Sequence, residues 1–229
     1  MKSPKMPVTL DPFYPVVPDA AWVSRVVERG ARLVQLRLKD ASSDEIARQI
    51  DAAQVACQAA GAQLIVNDHW QAAISAGATC VHLGQEDLDD ADASALRAAG
   101  VALGLSTHDR AERARALALA PHHIALGPIY TTTLKQMKWR PQGLDRLRTW
   151  VDEAPCPVVA IGGITLERAD DVWACGVASI AVVTDVVFHD TPDKRLDAWL
   201  AWAAARRAEP VRTGAAVAAH QRTDARPPA

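Results

Sequence analysis

The chain has 229 residues, 49% of them hydrophobic and 23% charged, with a formal net charge of −2. That is the composition of a globular protein with enough chain for one large domain or two small ones, and it carries no global basic field for nucleic acid. No apolar stretch approaches the length of a membrane span, and no apolar run follows the charges of the first seven residues as it would in a secretory leader.

The four cysteines, Cys57, Cys80, Cys156 and Cys175, stand far apart with no CxxC pair. A disulfide framework and a zinc finger both lack support, so a reduced, cytoplasmic protein is expected.

From the N-terminus, Phe13–Val17 is a short apolar run that reads as a first strand after an extension over residues 1–12. A helical pattern opens at Asp19 and stops at Gly30. Residues 33–38 alternate apolar and polar, the period of a strand, and residues 43–60 carry helical spacing as far as Gly61. The pattern then recurs. Strands are predicted over 63–66, 79–83, 101–105, 123–126, 157–161 and 179–183, with helices over 70–76, 92–99, 110–119, 144–151, 166–175 and 194–205. Residues 206–229 lack an apolar period and read as a disordered tail, whose removal should change neither folding nor activity.

Eight strand-then-helix units argue for a parallel sheet with its helices outside. Eight units over residues 13–205 fit a single-domain α/β protein, a (β/α)₈ TIM barrel. A doubly wound open sheet is the competitor, but no Gly-rich dinucleotide fingerprint follows the first strand.

In a barrel of this kind functional groups gather at the C-terminal strand ends and in the loops that follow. Those positions supply Gln35, Arg37 and Lys39, then Asn67 and Asp68, then Gln85, Glu86 and Asp87. Ser106 and His108 follow the fifth strand, Thr132 and Lys135 the sixth, Gly162-Gly163 the seventh, and Thr184-Asp185 the eighth. Gln35, Arg37 and Lys39 alternate along their strand and share one face, where two cations are costly without a ligand to neutralise them. Asp68 and Asp87 taken singly read as helix caps. Together, opposite Arg37, Lys39 and Lys135, they suggest Mg²⁺ held between carboxylates and a substrate's phosphates.

The loop Gly127–Met137 is rich in hydroxyls and carries Lys135, which suits a phosphate. Gly162-Gly163 lets backbone approach a second anion, with the next helix N-terminus pointing at it. His82, His122 and His123 read as structural or exposed, and neither His69 nor His108 has a partner that would make it a metal ligand.

Val34–Lys39, Asn67-Asp68, His82–Asp87, Gly104–His108, Gly127–Tyr130 with Lys135–Met137, Ala160–Ile164 and Ala181–Val183 resemble, in order over about residues 13 to 203, the thiamine-phosphate synthase family. The resemblance implies a (β/α)₈ barrel and a transferase. Such an enzyme joins hydroxymethylpyrimidine diphosphate to a thiazole phosphate, carboxylated or not, giving thiamine phosphate and pyrophosphate with Mg²⁺. By matching position, Gln35, Arg37, Lys39, Asn67, Ser106 and Lys135 would hold the pyrimidine diphosphate, and Asp68 and Asp87 the Mg²⁺. Thr132, Thr133, Leu134, Gly163, Val183 and Thr184 would hold the thiazole phosphate. Lys135, Ser106 and Arg37 would act on the departing diphosphate. The implied partners are these small molecules, with no nucleic acid and no membrane, and assembly into a homo-oligomer is left open.

Four positions depart from the family pattern. Thr131 stands where the family's loop has proline, Leu134 where it has a second threonine, and Thr184 where it has serine. Asp185 puts a negative charge beside a phosphate site unless its side chain points away. Lys138 or Arg140 closing over phosphate would offset Leu134. The competing functions are a thiazole tautomerase-like isomerase, which need not hold a diphosphate, and a non-catalytic thiazole-phosphate binding protein.

Overall fold

The structure, a computed structural model, describes residues 8–132 and 139–207. Thr133, Leu134, Lys135 and Lys138, and the tail beyond Arg207, lie outside the described residues.

Eight strands close a barrel in chain order, each parallel to its neighbours. They are β1 (Phe13–Val17), β2 (Leu33–Leu36), β3 (Gln63–Asn67), β4 (Cys80–Leu83), β5 (Ala102–Thr107), β6 (His123–Leu126), β7 (Val158–Ile161) and β8 (Ser179–Val182). The helices between them are α1 (Ala20–Glu28), α2 (Ser43–Ala60), α3 (Trp70–Ser75), α4 (Ala93–Ala98), α5 (Arg110–Ala118) and α6 (Gly143–Glu153). After β7 come a 3₁₀ turn, Leu166–Arg168, and α7 (Ala169–Trp173); after β8 come α8 (Thr184–Val187) and α9 (Pro192–Arg206).

The strands are covered on both sides, which is why several read as unbroken apolar runs. One set of side chains, Tyr14, Val16, Leu33, Ile65, Cys80, Ala125, Val159 and Ala181, packs together as the barrel interior. The alternate set, Val17, Val34, Leu36, Leu64, Val66 and Val81 among them, packs with Val23, Val26 and Val27 of α1 and with Ile50 of α2. Those three valines recur at the helical period, so one stripe of α1 is buried. Burying a side chain of that size stabilises by about 1.5–3 kcal/mol.

The helix starts are fixed by short acceptors. Asp19, Ser42, Asp92 and Asp109 each accept a backbone N–H of the first turn of α1, α2, α4 and α5. Gly61, at φ 65°, takes the left-handed conformation that ends α2.

Two strands end two residues away from the sequence expectation. β2 stops at Leu36, so only Gln35 of the three alternating polar residues lies within it, although Arg37 N–H still donates to Val17 O at 2.8 Å. β5 runs on to Thr107 and carries Ser106 inside the strand. At the barrel's N-terminal end, Arg207 pairs with Asp11 at 2.7 Å, while the Asp11 carbonyl accepts from Ser179 Oγ at 2.6 Å. Phe13 stacks on Trp199 of α9 at 5.2 Å between ring centroids. Asp11 and Arg207, read from the sequence as lying in the flanking segments, therefore help to close the barrel's base.

Candidate active site

Charged groups gather where β2 to β5 end. Lys39 Nζ lies 2.6 Å from Asp68 Oδ2. Asp68 has φ 62°, a left-handed conformation that aspartate tolerates better than most residues. Its N–H donates to His82 O at 2.9 Å, which ties the turn after β3 to β4. Asp87 accepts the Gly84 N–H at 3.0 Å and lies close enough to the Asp68 carboxylate to feel its charge. Burial and the neighbouring Asp68 charge hold the Asp87 carboxyl above the usual carboxylate range, against the pull of the Gly84 N–H and Lys39.

One lysine paired with Asp68, with Asp87 beside that carboxylate, leaves fewer positive than negative groups here. Among the described residues no group of three or more His, Cys, Asp or Glu is placed to hold a metal ion. A cage made of protein ligands alone is therefore not built here. The donor set instead suits Mg²⁺, which takes one or two carboxylates and completes its shell with phosphate oxygens and water. Arg37, half-buried at the same rim, makes no ion pair among the described residues.

The other half of the rim, after β6 to β8, encloses a cleft of about 330 Å³. Thr131, Thr132, Gly163, Thr165, Arg168 and Thr184 are among its lining residues. The glycines here are required by close backbone packing. A Cβ on Gly163, at φ 66°, would stand 2.4 Å from Thr131 O, and one on Gly162 would stand 2.6 Å from Pro128 Cα. Two backbone bonds, Ile129 N–H to Ile161 O at 2.9 Å and Tyr130 N–H to Gly162 O at 3.0 Å, hold the two loops together.

Arg168 donates to Gly163 O at 2.7 Å and lies over the Tyr130 ring at 4.5 Å, which places a cation in the cleft. Val183 precedes Thr184 at the end of β8 and packs on the barrel interior. The first amide of the 3₁₀ turn, Leu166 N–H, is already taken by Asp185 Oδ2 at 3.1 Å. That helix start therefore does not offer this amide to an anion.

Asp185 also accepts from Arg195 Nε and Trp199 Nε1, each at 2.8 Å. Its charge is spent within the protein. On the descending limb of the central loop, Trp139 stacks on His108 at 5.6 Å, whereas Arg140 is exposed.

The structure thus brings Gln35, Arg37, Lys39, Asn67, Asp68, Asp87 and Ser106 to one half of the rim, and Thr132, Gly163, Val183 and Thr184 to the other. Arg168 escaped the sequence reading, and Gln85, placed there at a strand end, was given no role. Gln85 Nε2 donates to Ser106 O at 2.6 Å, and its Oε1 is buried without a partner among the described residues. The three histidines read as structural or exposed lie together. His82 and His123 are buried inside the barrel, and Ser106 Oγ lies 3.0 Å from His82 Nε2. Burial, partly opposed by Asp68, pushes His82 down to about 4. Burial and the two neighbouring histidines hold His123 well below its ordinary value too.

A closed (β/α)₈ barrel with cationic, carboxylate and hydroxyl groups at its C-terminal strand ends defines an enzyme of anionic small molecules. Residues 13–186 match the family model described as thiamine monophosphate synthase. The chain is 52% identical over 193 residues to thiamine-phosphate synthase of Rhizobium etli, covering 84% of this chain and 95% of that one. It is 53% identical over 190 residues to the Neisseria meningitidis serogroup A protein of the same name, covering 82% and 93%. A solved thiamine phosphate pyrophosphorylase from Pyrococcus furiosus superposes with a TM-score of 0.75 at 26% identity, covering 84% of this chain and 95% of that one. The chain belongs to the thiamine monophosphate synthase family and is a transferase.

Proposed function

We propose that this chain joins hydroxymethylpyrimidine diphosphate to a thiazole phosphate, releasing pyrophosphate and forming thiamine phosphate. The supporting observation is the pairing, across one barrel mouth, of the Lys39–Asp68–Asp87 cluster with the Thr132–Gly163–Thr184 cleft. One substrate carries a diphosphate and the other a single phosphate, and the two halves of the rim match that difference. A tautomerase acting on the thiazole alone has no use for the first half.

In this reading Arg37, Lys39 and Lys135 take the diphosphate, with Gln35, Asn67 and Ser106 against the pyrimidine. Gln35 is held for the task, since its Nε2 donates to Tyr14 Oη at 2.7 Å inside the barrel. Asp68 and Asp87 would hold Mg²⁺, which when bound neutralises charge on the diphosphate. Thr132 and its neighbours Thr133 and Leu134, with Gly163, Val183 and Thr184, receive the thiazole phosphate.

The carbon–oxygen bond of the pyrimidine methylene breaks, and pyrophosphate leaves with the electron pair. The thiazole nitrogen then donates its lone pair to the methylene carbon. No proton need be removed at the reacting atoms, so the protein's work is to stabilise the departing charge and exclude water. Arg37 and Lys39 supply the first from this chain's own residues. The barrel's apolar interior below the site supplies part of the second.

The test is calorimetric binding of hydroxymethylpyrimidine diphosphate with and without Mg²⁺, in the native protein and in Asp68→Asn/Asp87→Asn. Affinity that rises with Mg²⁺ only in the native protein is expected. Equal Mg²⁺ dependence in the variant would remove both carboxylates from the role.

A further inference from the structure

The parallel register sets His82 of β4, Gly104 of β5 and His123 of β6 side by side in one layer of the barrel interior. Gly104 has no side chain to separate its neighbours. A Cβ there would stand 2.3 Å from the His123 ring and 2.8 Å from His82 Nδ1. The imidazoles therefore meet across the strand, with ring centroids 5.5 Å apart and His82 Nδ1 3.4 Å from His123 Nε2.

The row continues at both ends. Towards the mouth, His82 Nε2 lies 3.0 Å from Ser106 Oγ. Towards the base, His123 Nδ1 lies 3.1 Å from His122 Nδ1, and His122 Nε2 lies 2.9 Å from Val8 O. Four links join a carbonyl at the bottom of the barrel to a hydroxyl at the top.

The carbonyl gives the row a direction. Val8 O only accepts, so His122 Nε2 carries a hydrogen. A neutral imidazole has one N–H and one bare nitrogen. His122 Nδ1 is then bare, and His123 Nδ1–H donates to it. His123 Nε2 is bare in turn and accepts from His82 Nδ1–H. His82 Nε2 is left as an acceptor, and the one remaining donor is the Ser106 hydroxyl. Among the described residues no carboxylate hydrogen-bonds His123, so none there favours a second proton on the ring.

We propose that His122, His123 and His82 are positioning residues that commit the Ser106 hydroxyl to His82, so that Ser106 offers the substrate a lone pair and not a proton. Phosphate oxygens only accept, so a serine held this way does not serve the diphosphate. It serves a donor on the heterocycle, and the diphosphate falls to Arg37, Lys39 and Lys135. This deepens the reading given under Proposed function, on which it rests for the contact between Ser106 and the pyrimidine substrate.

The direct test is long-range ¹H–¹⁵N NMR on histidine-labelled native protein at neutral pH. Hydrogens on Nδ1 of His82 and His123 and on Nε2 of His122 are expected. A hydrogen on His82 Nε2 would overturn the proposal. A second readout uses His122→Ala, a change at a half-buried position at the barrel's base, far from the mouth. It frees His123 Nδ1, so the His82 tautomer should become mixed and KM for the pyrimidine diphosphate should rise by up to about tenfold, the scale of one hydrogen bond, with kcat less affected. An unchanged His82 tautomer and unchanged KM in that variant would also overturn it. Ser106→Ala separates the two readings. If it leaves KM and kcat intact while the native tautomers are as stated, the fault lies with the Ser106 contact and not with the row.

Discussion

Asp185 Oδ2 and Arg195 Nε lie 2.8 Å apart, both largely buried, and the same carboxylate accepts the indole N–H of Trp199 and the amide of Leu166. A negative charge beside a phosphate cleft is tolerable because it is turned into this network and matched by a guanidinium that also holds Glu167. Asp185→Ala leaves the buried Trp199 N–H without its acceptor and Arg195 half-matched. A loss of about 3 kcal/mol is expected, read as a fall in the urea midpoint at unchanged slope. An unchanged midpoint would contradict this placement of the charge.

Gly104→Ala drives a methyl into the gap where His82 and His123 meet. Strands on both sides hold those rings, so relief requires the backbone or both imidazoles to move. Destabilisation of about 1–3 kcal/mol is expected by chemical denaturation, the range for overpacking a tight core. A variant as stable as the native protein would mean that the two rings do not share that space.

The sign of the pH dependence follows from His82. In the unfolded chain a histidine titrates near its ordinary 6.5, and in the folded protein His82 is held down to about 4. Between those values the unfolded chain binds more protons, so stability is lost as pH falls through the window. His82 alone accounts for about 2 kcal/mol between about pH 7 and pH 5, and His123 acts in the same direction. Urea unfolding at the two pH values measures it. Equal stability at both would contradict burial of these rings in neutral form.

Arg168 is the described cation that lines the Thr132–Gly163–Thr184 cleft. Arg168→Ala should raise KM for the thiazole phosphate by about three- to tenfold, as expected for one partly exposed charged hydrogen bond, and leave KM for the diphosphate substrate unchanged. Equal effects on both constants would show that Arg168 does not belong to one half of the rim.

The eight-unit barrel was readable because the signals are local. Apolar runs such as Val158–Ile161 recur along the chain with helical patterns between them, and four of those helices open on a capping Asp or Ser. The carboxylates and cations at the strand ends were readable for the same reason, once a barrel was assumed. What escaped depends on contacts far apart in sequence. Four-residue α8 is too short to display a period. The partner of Asp185 lies ten residues on, in α9, and nothing local marks it. The histidine row exists only because the register sets β4, β5 and β6 level with a glycine between the rings. No spacing along the chain reports a register.

The central claim is the reaction itself, and one assay addresses it most directly. Purified protein is incubated with hydroxymethylpyrimidine diphosphate and thiazole phosphate, with Mg²⁺ or with chelator in its place, and thiamine phosphate and pyrophosphate are both measured. Equal amounts of the two products are expected, formed with Mg²⁺ and abolished by the chelator. Binding of both substrates with Mg²⁺ present and neither product formed would contradict it.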